Sequence, residues 1–239
     1  MNTNRILVIP EKTDIEFEEV LAVWTAAGGA VKRLGKYWIR DEELTGRSIA
    51  LYGNQTFALV LAQIYDVDLL SPDDTLIARL DQEWTKRKIT LTQIAEAGNI
   101  SFPVFAKPVI PKLFLAGVFA DHAAFAAATN GLQSTEEVLV SEVVDDIVAE
   151  ARSYVREGTI KDLALYEGEA DLAEASLFLA AFLKKNSQQL PAVVVIDLAY
   201  CSTRGWFVLE FNACWGAGLN HCKASNVIDC IIEATVNKE

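Results

Sequence analysis

The residues of this chain best suited to chemistry are charged groups set inside otherwise apolar runs. A lone charge in such a place is costly unless it is paired or holds a ligand. Lys107 stands in Val104-Phe105-Ala106-Lys107-Pro108-Val109 and, if that run is a strand, shares a face with Phe105 and Val109. A cation there can reach a phosphate; the plainer reading is an edge lysine that blocks aggregation. Lys112 follows past a second proline, so two lysines of one Pro-punctuated segment could address one polyanion. Glu142 lies in the run Val138–Val144, on the face of Val140, where an acid can also be an ordinary strand end. Glu150, Arg152 and Tyr154 alternate and therefore share a face. Either they build a salt-bridged surface across strands, or Arg152 offers its fork to a phosphate or carboxylate.

Asp197 interrupts Val193–Ala199, and Glu210 and Asn212 interrupt Trp206–Asn212. If these runs pair through a turn at Thr203-Arg204-Gly205, residue numbers across the turn sum to roughly 408 under antiparallel register. Asp197 then falls near residue 211, within reach of both Glu210 and Asn212. An Asp, a Glu and an Asn oxygen brought together suit Mg²⁺, with water and phosphate oxygens completing the shell. Two buried carboxylates without a cation would repel, and one would have to take a proton.

These residues need strands to carry them, and the sequence supplies candidates. Residues 1–75 alternate strand and helix signals. Ile6–Ile9 is an apolar run, Glu16–Ala27 has helical spacing with a stop at Gly28-Gly29, Ser48–Tyr52 is a second run and Phe57–Tyr65 a second helix. Ser71-Pro72-Asp73-Asp74 has the form of a helix start, with Ser71 as cap and Pro72 in the first turn, and predicts a helix over Asp73–Gln82. A further helix is expected at Leu91–Ala97, a strand at Val104–Ile110, a short helix at Asp121–Ala128 and a strand at Val138–Val144. Val148–Arg156 and Thr159–Tyr166 predict a hairpin around Glu157-Gly158. Ala170–Lys185 predicts a helix with acids early and lysines late. Val193–Ala199 and Trp206–Phe211 predict a second hairpin, and a last helix covers about Ala224–Ala234. The expected class mixes α/β and α+β: a small N-terminal α/β domain, then a mostly antiparallel sheet with helices against it.

Composition sets the outer bounds. The 239 residues carry 21 Lys+Arg against 33 Asp+Glu, a formal charge of −12 that argues against a general affinity for nucleic-acid polymers. A local pocket can still oppose the global sign and hold one nucleotide. No apolar run reaches the ~18 residues of a membrane span, and no leader-like segment precedes the first run, so a cytoplasmic protein without membrane partners is expected. Cys201, Cys214, Cys222 and Cys230 form no CxxC pair and are expected to be buried free thiols, zinc ligation by Cys214, His221, Cys222 and Cys230 being the poorer alternative. A phosphate loop is not supported: between Gly29 and Gly35 there are five residues where four are needed, and Tyr37 stands where Ser or Thr would hold magnesium.

The ordered series resembles one superfamily. Phe102-Pro103-Val104-Phe105-Ala106-Lys107-Pro108 with Lys112-Leu113-Phe114, then Val140-Ser141-Glu142-Val143-Val144, then Glu150-Ala151-Arg152-Ser153-Tyr154-Val155, Val195-Ile196-Asp197 and Glu210-Phe211-Asn212 follow the pattern of ATP-grasp proteins. More narrowly they resemble the clade named for one arginine and two lysines. The likeness covers roughly residues 84–230, and no single motif carries it. It implies a pre-grasp-like domain over 1–83 and an ATP-grasp domain over 84–239. It implies that Lys107 and Lys112 hold ATP phosphates and that Glu142, Val143 and Val144 form the segment whose backbone reads adenine. Arg152 would steady the γ-phosphate or acyl phosphate, with Arg152 and Lys112 serving catalysis, and Asp197, Glu210 and Asn212 would carry Mg²⁺. The implied activity is ligation of a carboxylate to an amine or related nucleophile through an acyl phosphate, with ADP and phosphate released. The alternative is a nucleotide-binding module without ligase activity, because Ala213-Cys214-Trp215 replaces the Pro-Arg many such ligases carry there. Lys86-Arg87-Lys88 could supply another anion site or be a solvated helix end. The compact chain favours a small-molecule or peptide substrate, and an exposed sheet edge could pair two copies as a homodimer.

Overall fold

The computed structural model describes residues 3–97 and 100–238. In chain order the elements begin with β1 (Ile6–Pro10), α1 (Ile15–Ala26), β2 (Ala30–Leu34), β3 (Ile49–Leu51), α2 (Gln55–Tyr65) and β4 (Val67–Leu69). There follow α3 (Gln82–Thr85), β5 (Ile89–Gln93), α4 (Ile94–Ala97), β6 (Val104–Pro108), β7 (Gly117–Phe119), α5 (His122–Ala128) and β8 (Glu137–Ser141). The last are β9 (Ile147–Arg156), β10 (Thr159–Gly168), α6 (Leu172–Asn186), β11 (Val193–Cys201), β12 (Gly205–Asn212), α7 (Ala224–Glu233) and β13 (Thr235–Asn237). They form two compact units. One comprises Met1–Pro72, Val148–Ala199 and Leu209–Glu239; the other comprises Asp73–Ile147 and Tyr200–Val208. The mixed α/β and antiparallel character expected from the sequence is what the chain adopts. Among the described residues no helix is long and apolar enough to cross a membrane.

In the first unit a parallel sheet has the order β2-β1-β3. Its central strand is covered on both faces, which is why Ile6–Ile9 is apolar without alternation. Leu7 and Ile9 pack with Val20, Leu21 and Trp24 of α1 and with Ile228 and Ile231 of α7, while Val8 packs with Leu51, Phe57 and Leu61. Helix α1 starts where Asp14 caps the amides of Glu16 and Phe17 at 3.0 and 3.1 Å. Asp14→Ala is expected to cost about 1 kcal/mol of stability in urea unfolding, the usual value of an N-cap side chain. Strand β2 escapes sequence reading because Lys32 and Arg33 break its apolar pattern. Lys32 pairs with Asp41 and Glu43, and Arg33 with Glu18. The chain end is stitched to the same sheet: the Asn237 amide exchanges two hydrogen bonds with the backbone of Ile49, and Arg5 donates to the carbonyls of Ile232 and Thr235.

The second sheet of this unit has the order β10-β9-β11-β12, its β11–β12 tip at residues 200–208 being grouped with the other unit. The predicted β9–β10 hairpin is present, with Arg156 opposite Thr159. Glu157 and Gly158 both have positive φ (48° and 70°), the two-residue turn that matches strand twist. The β11–β12 hairpin also follows the sequence, and Phe211 stacks on Phe182 of α6.

The other unit is built on an antiparallel sheet of order β5-β8-β6-β7. Val104 and Ala106 of β6 and Val138 and Val140 of β8 pack with Phe114, Phe119 and Phe125 on one face. Four expectations are corrected here. Residues 91–97 are not one helix: Ile89-Thr90-Leu91-Thr92-Gln93 is strand β5, with Leu91 opposite Leu139, and only Ile94–Ala97 is helical. Apolar spacing in so short a segment fits either period, and pairing with β8 decides. Residues 73–82 are not one helix either. The Asp73 carboxylate accepts from the amide and hydroxyl of Thr75 and from Arg79, which locks a turn, and a 3₁₀ stretch at Leu76–Arg79 precedes α3. Ser71 does not cap a helix; its hydroxyl accepts from the Trp215 indole at 3.2 Å. Finally β8 stops at Ser141, so residues 142–144 are outside the strand.

Candidate functional site

Strand alternation puts Glu150, Arg152 and Tyr154 on one face of β9, beside the central strand β11 that carries Asp197. The Arg152 Nε and Nη2 donate to the two Asp197 carboxylate oxygens at 2.8 and 2.7 Å. The side chains are 11 % and 1 % exposed, so this forked pair is withdrawn from water. The Asn212 amide nitrogen donates to Asp197 at 3.0 Å and to Glu210 at 3.2 Å. The three residues expected to meet across the β11–β12 hairpin do meet, and Arg152 joins them. Its remaining bond is from Nη1 to the Gly218 carbonyl at 2.9 Å, and its guanidinium lies over the Tyr166 ring, 5.9 Å from the centroid.

The electrostatics follow from burial. Desolvation pushes the Asp197 carboxyl above its ordinary value, opposed by Arg152 and Asn212 and reinforced by Glu210. Burial works against the Arg152 charge, but the Asp197 pair outweighs it and holds its pKa up. A guanidinium stays protonated in proteins, and it favours the charged form of Asp197 against the effect of burial. Glu150 is also pushed up, first by burial and then by Glu167, Asp197 and Glu210, while the Tyr166 hydroxyl, which donates to it, works the other way. Asp197 and Glu210 thus act on Glu150, and Glu210 on Asp197, as like charges.

The segment after Asn212 is fastened to this cluster from several sides. Tyr154, fully buried, donates its hydroxyl to the Ala217 and Gly218 carbonyls at 3.0 and 3.1 Å, and Tyr52 donates to Ala217 at 3.0 Å. The Glu16 carboxylate on α1 accepts from the amides of Leu219 and Asn220 at 2.9 and 2.8 Å. Asp162 and Glu19 accept from the amides of Lys223 and Ala224, where α7 begins. The Cys222 thiol donates to the Arg152 carbonyl at 3.3 Å. All four cysteines are buried and free. Sequence reading missed Glu16, Tyr52 and Tyr166 as parts of this assembly. Tyr154 was visible by its alternation with Arg152; nothing in the sequence around Glu16 pointed to residues 219 and 220.

The other expected residues lie in the second unit. On β6 the burial alternates, with Val104, Ala106 and Pro108 inside and Phe105 and Lys107 on the other face, as predicted. Lys107 and Leu139 are register partners, so the Lys107 ammonium rises from a face that also carries Leu139 and Ser141. Lys112 is exposed in the turn after β6 and has a left-handed φ of 67°. Glu142 turns its carboxylate back to the Lys88 amide and donates its own amide to the Lys88 carbonyl, both at 3.1 Å. Its carbonyl accepts from Ser141. Val143 and Val144, the next two residues of the segment expected to read adenine, are half-buried and lie outside the strand. Arg87 is not solvated: it is buried, donates to the Thr85 and Val208 carbonyls, and lies over Phe207.

The donor set fits a hard divalent cation. It comprises two carboxylates and an amide, Glu150 feels both carboxylates as like charges, and Asp197 Oδ1 keeps a lone pair after its one bond to Arg152. Asn212 turns its nitrogen to both acids; a flip of the amide would present oxygen instead. Among the described residues no three His, Cys, Asp or Glu side chains gather to hold a metal, so the set reaches three only with Asn212.

The fold is shared with solved ATP-grasp proteins. A RimK domain protein ATP-grasp from Sphaerobacter thermophilus superposes with a TM-score of 0.65 at 14 % identity, covering 95 % of this chain and 99 % of its own. D-alanine--D-alanine ligase from Bacillus anthracis, complexed with ATP, gives 0.58 at 14 % identity, with 98 % and 97 % covered. An L-amino acid ligase from Bacillus licheniformis gives 0.59 at 11 %, with 100 % and 77 % covered. Residues 84–230 match the ATP-grasp domain of the second family in the clade named for one arginine and two lysines, and the chain belongs to that family. No curated protein matches in sequence.

Proposed function

We propose that the chain is an ATP- and Mg²⁺-dependent ligase that activates a carboxylate as an acyl phosphate and passes it to an amine or related nucleophile. The observation that carries this reading is the meeting of Asp197, Glu210 and Asn212 on the last two long strands of an ATP-grasp domain. In this reading those three residues hold Mg²⁺, which offsets the charge of the transferring phosphoryl group. Lys107 and Lys112 bind ATP phosphates, and the backbone at Val143 and Val144, positioned by Glu142, receives the adenine. Arg152 has three of its five N–H groups committed to Asp197 and Gly218, leaving two for a phosphate oxygen. The division into a pre-grasp-like part (1–83) and an ATP-grasp part (84–239), a cytoplasmic setting, a small-molecule or peptide substrate and the pairing of two copies belong to the same proposal.

Isothermal titration with Mg-ATP tests the binding half. Wild type is expected to bind, and Lys107→Ala to raise Kd by at least about tenfold, the loss of one charge-assisted phosphate contact. Equal affinity of the two proteins, or no binding to either, would remove the assignment. ATP binding without ADP release across a panel of amino acids and peptides would favour a nucleotide-binding module instead.

A further inference from the structure

We propose that His221 is the base that takes the proton from the attacking amine, a role that rests on the ligase reading above. The chain has two histidines, and this one stands on the segment that Arg152, Tyr52, Tyr154 and Glu16 fasten. Asn220 and His221 have φ of 46° and 69°, two successive left-handed residues without glycine. Such a conformation is strained for residues other than glycine and persists only where surrounding contacts hold it. Here they do: the Glu16 carboxylate takes the amides before and at Asn220, and the Lys223 amide is held by Asp162.

The ring is fixed as well as the backbone. His221 Nδ1 lies 2.8 Å from the Leu165 carbonyl oxygen on β10. A carbonyl oxygen only accepts, so Nδ1 carries the hydrogen, and in the neutral ring Nε2 is a bare acceptor. His221 is exposed, so that lone pair is open to an incoming molecule. Leu165 adjoins Tyr166, whose ring lies against Arg152, and the neighbouring Cys222 thiol bonds the Arg152 carbonyl. Ionisable groups on the elements around this segment include Glu16, Glu18 and Glu19 of α1, Glu150, Arg152, Tyr154 and Arg156 of β9, Lys161, Asp162, Tyr166 and Glu167 of β10, and Lys223 of the segment itself. Glu16, Glu19 and Asp162 are engaged by backbone amides and Arg152 by Asp197.

An amine acceptor arrives as an ammonium and has no lone pair to attack with. His221 Nε2 takes one proton and frees the pair, which forms the C–N bond to the acyl carbon. The bond from the acyl carbon to the phosphate oxygen breaks, phosphate leaves with that electron pair, and the second nitrogen proton leaves with it. The imidazolium returns its proton to water at the exposed ring edge. No oxidant or further reactant is needed.

The test compares wild type with His221→Asn, since asparagine tolerates a left-handed φ but cannot hold a proton. Nitrogen NMR of the wild-type ring is expected to show the Nδ1–H tautomer, and an Nε2–H tautomer would overturn the geometry. Mg-ATP affinity is expected to be the same in both proteins. With hydroxylamine, which is largely uncharged at neutral pH, and each common amino acid as carboxylate, hydroxamate formation should survive in His221→Asn. With amine acceptors, ligation by the variant should fall by about a hundredfold, the low end of general-base effects. Equal loss with both nucleophiles, or loss with neither, would overturn the role and leave the ligase reading standing. If wild type makes no hydroxamate from any carboxylate, the ligase reading falls and this role falls with it, whatever the ring's tautomer.

Discussion

Asp197→Ala is expected to cost about 3–5 kcal/mol of folding stability, because it strands the Arg152 guanidinium among buried neighbours without its counter-charge. Both carboxylate oxygens are bonded to that arginine, and neither side chain has much access to water that could take over. Arg152→Met should cost a similar amount, since it leaves the Asp197 carboxylate 1 % exposed with only the Asn212 amide to satisfy it. The double variant Arg152→Met, Asp197→Leu is the informative one. Removing both charges together spares the protein an unpaired ion, so the double variant should be more stable than the sum of the single losses predicts. Urea unfolding of the four proteins measures this directly. Additive losses would show that the pair contributes nothing beyond the two side chains taken separately. The same variants separate structure from chemistry: the double variant should fold and yet fail to gain stability from Mg²⁺, because the cation would have lost a carboxylate ligand.

Glu16→Ala is expected to cost about 2–3 kcal/mol, for two charge-assisted bonds to half-buried amides lost at once. The amides of Leu219 and Asn220 would be left to water beside backbone already in the left-handed region. Gln is not a good substitute, because its side chain has one acceptor oxygen and its NH₂ would face a backbone N–H. Gly218→Ala should act on the same contact from the other side: a Cβ there would stand 2.6 Å from the Glu16 carboxylate. Since Arg152 also holds the Gly218 carbonyl, the losses in Glu16→Ala and Asp197→Ala should not add. Thermal unfolding of the single and double variants tests this. A Glu16→Ala protein as stable as wild type would mean that Tyr52, Tyr154 and Arg152 hold the segment without it.

Much of the fold was legible in local pattern. Ile6–Ile9 reads as a buried strand because apolar residues follow one another, and Glu157-Gly158 reads as a hairpin turn because it stands between two strand-like runs and its glycine accepts positive φ. The candidate site was legible through violation of pattern: a charge at Lys107, Arg152, Asp197 or Glu210 in an apolar strand demands a partner or a ligand. The failures share one cause. Residues 73–82 carry helix-start signals, but the Asp73 side chain bonds Thr75 and Arg79 and captures the segment in a turn. Residues 89–93 suit a helix or a strand about equally, and β8 supplied the partner that made them strand.

What the sequence determined by itself is which residues share a face and which cannot be left unpaired. Period-two alternation put Glu150, Arg152 and Tyr154 together, and the turn at Thr203-Arg204-Gly205 placed Asp197 within reach of Glu210 and Asn212, because a hairpin's register is set locally. It did not determine that Arg152 would spend its fork on Asp197, 45 residues away, or that Glu16 would hold the amides of Leu219 and Asn220, more than 200 residues away. β9 and β11 are neighbours in the sheet but not in the chain, and helix α1 reaches residues 219–220 only through the packing of α1 and α7 on the same parallel sheet. Periodicity specifies a direction for each side chain; only the packing of distant elements specifies what stands there to meet it.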